Sequence, residues 1–237
     1  DSLSGIEKAK VQNYADSVED IRERNRKIDA MASTIRKHVP QLDAKYLDPA
    51  VSTFDRQIGH TEVLLGALIS GLTNVVAFTV DELGHRYTGI PGIEGEKVNM
   101  HDVGHGKSIG GLDAETIREL ARTHHMTLMD RIVKRLKSVP EGNGTMFDNT
   151  MVFYFPDGGE THHSHGWEYP FIIVSGDNAR VDLRRRYIRL PNYGQPGHST
   201  LGNFYTTLLN AYGNPVEHYG ALDTGLSKFG HGQTGPI

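Results

Sequence analysis

Asn74-Val75-Val76-Ala77-Phe78-Thr79-Val80 is the stretch on which the fold turns. It is apolar almost throughout, rich in β-branched residues and without alternation. That pattern predicts a strand buried on both faces, as in a parallel sheet. Met151-Val152-Phe153-Tyr154-Phe155 and Phe171-Ile172-Ile173-Val174 read the same way. Between the first and second runs, Asp113 caps a helix reaching about Ser138, with Ile117, Leu120, Ala121, His124, Leu128, Ile132 and Leu136 on one face. A hairpin-like polar region spans Ala179 to Leu190, and a last helix runs from about Leu201 to Tyr212. Strand, helix, strand, strand, helix predicts an α/β domain, a mainly parallel sheet flanked by helices.

Upstream of that run the chain reads as helical. Val11, Tyr14, Val18, Ile21, Asn25, Ile28, Ala32 and Ile35 follow a 3-4-3-4 spacing, an a/d seam with Asn25 as its polar member. Val39-Pro40 ends it. Val51, Phe54, Ile58, Leu65 and Ile69 mark a second helix opened by Asp48-Pro49. Two such helices joined by a short link predict an antiparallel hairpin over residues 1–72, followed by an α/β metal-binding domain over 73–237. The hairpin either packs on its own domain or forms a homo- or hetero-oligomer.

Composition removes several function classes. The 237 residues carry a formal net charge of −4, and Arg184-Arg185-Arg186, the dense basic run, reads as a solvated or edge-strand face. No basic stripe for nucleic acid is expected. The absence of cysteine excludes disulfides, thiolate ligands and cysteine nucleophiles. The longest apolar candidate, Val63 to Leu72, falls far short of the roughly 20 residues that span a bilayer. Asp1 is not a natural start and leaves room for a signal segment or an upstream domain. No Gly-x-Ser-x-Gly elbow, Walker loop or dinucleotide fingerprint is present.

Histidine stands out, with thirteen in the chain. The first predicted strand runs into Asp81, Glu82, His85 and Arg86. The second runs into Asp157, Glu160, His162, His163 and His165, and between them lies Met100-His101-Asp102-Val103-Gly104-His105-Gly106. In open α/β sheets ligands bind beyond the strands' carboxyl ends. Imidazole and carboxylate are the usual transition-metal ligands where thiolate is absent. The expected ligands are His101, His105, His163 and His165, with Asp102 or Asp157 supplying a carboxylate. His85, His124, His162, Glu82 and Glu160 are expected to orient them. The expected ion is divalent: zinc first, then iron or copper. Glu82 or Glu160 is the candidate base and Arg86 the candidate anion clamp.

The order Val75–Glu82, His101 to His105, Asn149-Thr150-Met151-Val152-Phe153-Tyr154, His163-x-His165 and Pro170-Phe171-Ile172-Ile173-Val174 resembles the bacterial family called domain of unknown function 1552. The likeness covers Lys10 to Leu226 and corresponds to the C-terminal part of that family's sequence. Its members resemble the alkaline phosphatase and sulfatase superfamily and carry twin-arginine export signals. The resemblance implies an alkaline-phosphatase-like fold, a periplasmic or secreted location, and Glu82, His101, His105, His163 and His165 at the family's Glu and His positions. Where that superfamily has its nucleophile strand, this chain has the helical hairpin. Two functions are expected of such a chain. One is a metal-dependent hydrolase acting on a small phosphate or sulfate ester. The other is a secreted metal-binding or assembly subunit without catalysis.

Overall fold

The computed structural model describes residues 5–81, 84–156, 169–229 and 234–237. Contacts divide the chain into two compact units, Asp1–Leu136 and Lys137–Ile237.

The first unit opens with α1 (Gly5–Ala30) and α2 (Ala32–His38), and continues with α3 (Thr53–Ile69). Ser52 caps α3 by accepting from the Asp55 amide at 3.1 Å, and Asp55 itself lies in the first turn, where the helix dipole favours it. Phe54, Gln57, Thr61 and Leu65 fall at helical spacing and are buried. Two short strands follow, β1 (Arg86–Tyr87) and β2 (Val98–Asn99), paired antiparallel. The chain just past β1 is tied to the start of α3, because the Thr53 amide donates to Thr88 Oγ1 at 2.9 Å. Gly89 makes that approach feasible: its φ is +85°, and a Cβ there would meet Ser52 Oγ at 2.6 Å. A one-turn helix, α4 (Met100–Gly104), and a long one, α5 (Ala114–Lys137), complete the series. Asp113 caps α5 by accepting from the Thr116 amide at 2.8 Å. The core gathers Phe54, Tyr87, Ile90, Val98, Val103 and Ile117.

The second unit contains two hairpin-like pairs. β3 (Pro140–Glu141) pairs with β4 (Gly144–Thr145), and β5 (Met151–Tyr154) with β6 (Ile172–Ser175), in register from Met151 opposite Ser175 to Tyr154 opposite Ile172. Thr200 and Asn203 form a capping box at the start of α6 (Leu201–Ala211). Phe204 of α6 meets Phe153 and Phe171 at 5.8 and 5.1 Å between ring centres. That aromatic cluster seats the helix on the β5–β6 pair.

This is not a parallel α/β fold. The described residues hold three two-stranded sheets, all antiparallel, among a majority of helix and loop. Asn74–Val80 forms no strand. It has no ladder partner among the described residues, and Val75 is 82% exposed. What holds the segment is side-chain contact: Gln57 donates to the Val80 carbonyl, and His60 meets the edge of Phe78. β-branched content favours extended backbone, but a strand exists only where another edge accepts its hydrogen bonds. β5 and β6 do form at their expected places. They are not buried on both faces, since their residues are half-buried or exposed, and the neighbour of each runs antiparallel. Residues 179–190 form no hairpin; there Arg184 is instead held by Asp177 and Asp182.

Both helical stretches form, but α3 packs on α2, and α1 buries no residue at all. The predicted seam is broken at Met31 between α1 and α2; of its members Val18, Ala32 and Ile35 are half-buried and the others exposed. No described helix is long and apolar enough to cross a membrane.

Candidate metal centre

His101 lies in a helix and His105 is the residue that caps its C-terminal end, although their glycine-rich surroundings suggest a loop. Asn99, the last residue of β2, turns the chain into α4, and its side-chain oxygen accepts from the His101 amide at 2.9 Å. Val98 and Val103 are fully buried. These two anchors fix the rotation of α4 and leave His101 half-buried and His105 exposed. The helix closes on Gly106 at φ +86°. The Gly106 amide donates to the Val103 carbonyl at 2.9 Å, and the Lys107 amide to that of Asp102 at 3.1 Å. This left-handed closure satisfies the last carbonyls and needs glycine.

Residues four apart on a helix are neighbours on one face. The two Nε2 atoms accordingly lie 3.1 Å apart, with ring centres at 4.8 Å and planes tilted by 58°. At that distance one ring donates to the other. The same arrangement lies close to that of a chelate. Two nitrogens each about 2.0–2.1 Å from a tetrahedral zinc stand roughly 3.3–3.4 Å apart. The pair needs to open by only a few tenths of an ångström to share an ion.

Asp102 is differently engaged. It lies one residue, about 100° of helical turn, from His101. Its carboxylate takes Lys107 Nζ at 2.9 Å, and that bond holds its pKa below the ordinary carboxylate range, with added pull from His101 and Arg86. Among the described residues no three His, Asp or Glu side chains come together as a metal-binding group. Arg86 stands on β1 directly opposite Asn99, so its strand lies beside the start of α4. His85 meets Tyr87 edge-on at 4.9 Å. Glu82, Asp157, Glu160, His162, His163 and His165 lie outside the described residues. The expectation that both His pairs leave one edge of a parallel sheet is overturned with the sheet itself.

His124 has other partners. Its ring stacks on Phe54 at 3.9 Å, with the two planes nearly parallel, and its Nε2 lies 2.9 Å from Gln57 Oε1. Burial first, then the neighbouring His125, pushes its pKa from 6.5 down to about 4. A neutral ring protonated on Nε2 satisfies the Gln57 oxygen, while Gln57 passes its own amide hydrogen to Val80. His124 thus ties α5 to α3 and to the segment after it. His125 is a side chain that the sequence pattern could have found. It follows Ala121 by four residues on the buried stripe of α5 and is buried, its pKa lowered by desolvation.

A cleft of about 730 Å³ in the second unit is lined by Lys137, Arg184 and Arg185 and by Asp148, Asp177 and Asp182, among others. With charges of both signs and no histidine among its described lining residues, it is a poor rival for the ion. Family models, curated proteins and solved structures were compared with the chain, and none matches.

Proposed function

We propose that this chain is an exported metal-binding protein that hydrolyses small phosphate or sulfate esters, with His101 and His105 as two ligands of a zinc ion. The observation that carries the reading is the 3.1 Å approach of the two Nε2 atoms, one from a short anchored helix and the other from its C-cap. Two imidazoles leave coordination positions for further protein ligands and for water. Zinc is the first choice because it takes imidazole and carboxylate without a demand on geometry; iron or copper would use the same donors. A zinc ion at an open site supplies a water acidified toward neutral pH or polarises an ester oxygen.

The chain's own residues supply the rest. Arg86, on the strand beside α4, is the proposed clamp for the anionic ester. Glu82, four residues before Arg86 in the sequence, is the proposed base. Export follows from the family resemblance. The test is turnover of aryl phosphate and aryl sulfate by zinc-loaded protein, with and without chelator. Chelator-sensitive turnover that is lost in His101→Ala and His105→Ala is the expected result. Zinc bound in a closed site without turnover would replace the hydrolase with the non-catalytic subunit. The bare face of α1 is the observation that favours that second reading.

A further inference from the structure

The strongest unexplained feature outside the metal centre is α1. It is 26 residues long, about 39 Å at the usual helical rise, and buries nothing. Helices in proteins owe most of their stability to packing of an apolar face rather than to intrinsic propensity. This helix has such a face. Val11, Val18 and Asn25 occupy one position of a heptad, a, and Tyr14, Ile21 and Ile28 the other, d. Tyr14 is 73% exposed and Val11 57%.

We infer that α1 pairs with α1 of a second copy of this chain, as a parallel two-stranded coiled coil in register at Asn25. Three observations select that occupant. First, the seam repeats every seven residues, which is the pattern a supercoiled partner of the same pitch covers. Second, a single asparagine sits in its lower half at an a position. In parallel register Asn25 meets Asn25 of the other copy and the two side-chain amides satisfy each other; β-branched Val11 and Val18 at a also suit two strands. Isoleucine at d favours higher orders, and the asparagine layer opposes them. Third, the flanking charges complement one another. Arg24 stands at g and Asp29 at e, five residues apart, the pair that meets across a parallel dimer. Within α1, Arg22 and Arg26 engage Glu19, and Lys27 engages Glu23. Among the described residues no ion pair is formed by Arg24 or Asp29.

The chain's lack of cysteine makes the test clean. Sedimentation of the whole chain should give a dimer, and Ile21→Glu should weaken self-association by about 100-fold or more, since a charge would enter the seam. Val11→Cys should form an intermolecular disulfide under mild oxidation. In an antiparallel pair residue 11 would face residue 28, leaving the two sulfurs about 25 Å apart by helical rise. Arg24→Asp and Asp29→Arg should each weaken the dimer, and the double variant should restore it, which separates pairing from misfolding. A monomer, a trimer, a dimer indifferent to Ile21→Glu, or no Val11→Cys disulfide would each overturn the inference.

Discussion

α1 and α5 have almost the same length, 26 and 24 residues, and both carry apolar residues at helical spacing. α5 buries Ala114, Ile117, Ala121, His125 and Leu128; α1 buries none. Periodicity creates a face in both. Only in α5 does the chain bring something to cover it: Phe54 from α3, Tyr87 from β1, Ile90 and Ile93 from the loop, Val98 from β2 and Val103 from α4 all join its cluster. The difference teaches that an amphipathic stripe is a demand for a partner and does not say where the partner comes from.

The largest effect should fall on the covered helix. Ile117 is fully buried, so Ile117→Ala should cost about 2–4 kcal/mol in urea unfolding of the whole chain. A loss below about 1 kcal/mol would mean that α5 is no better covered than α1.

Next comes pH. His124 titrates near 4 in the folded protein and near 6.5 when exposed. Above 6.5 both states are neutral there and the group adds no slope. As pH falls toward 4 the unfolded chain takes up the proton first and stability drops; below about 4 the loss levels off. His124 is half-buried, so the shift is discounted to about 1–2 kcal/mol. Burial lowers His125 too and adds to the slope. Urea midpoints measured across this range should show the fall, and His124→Asn should flatten it. An unchanged slope would remove His124 from the account.

Arg131 of α5 and Glu62 of α3 form an ion pair that stays partly exposed. Arg131→Ala should cost less than about 1 kcal/mol. Smallest of all is Ile21→Ala on the bare face of α1. In dilute protein it should shift stability by less than about 0.5 kcal/mol. If a second copy covers that face, the cost should grow with protein concentration, whereas that of Ile117→Ala should not.

Helices were legible in the sequence because caps and periodicity are local. Asp113 and the stripe from Ile117 to Leu128 place α5 without reference to any other segment. Sheet architecture was not, because pairing is a property of two segments. Asn74–Val80 has the composition of a buried strand and no edge to join among the described residues, and β5 and β6 carry no mark of their relative direction. At the candidate site, the His101 and His105 spacing of four was visible, but its meaning depended on α4 being a helix. Asn99 as a cap and Gly106 as a left-handed stop make it one, and both signals are local. The diversion of Asp102 to Lys107 depends on a side-chain conformer that spacing does not show.

The most direct test of the metal centre is zinc retention. The zinc-loaded chain would be dialysed against metal-free buffer and its zinc counted by elemental analysis. The native chain should keep about one zinc per copy, His101→Ala/His105→Ala should keep none, and His38→Ala should match the native chain. Zinc lost from the native chain, or kept in full by the double variant, would contradict the assignment of the ion to α4.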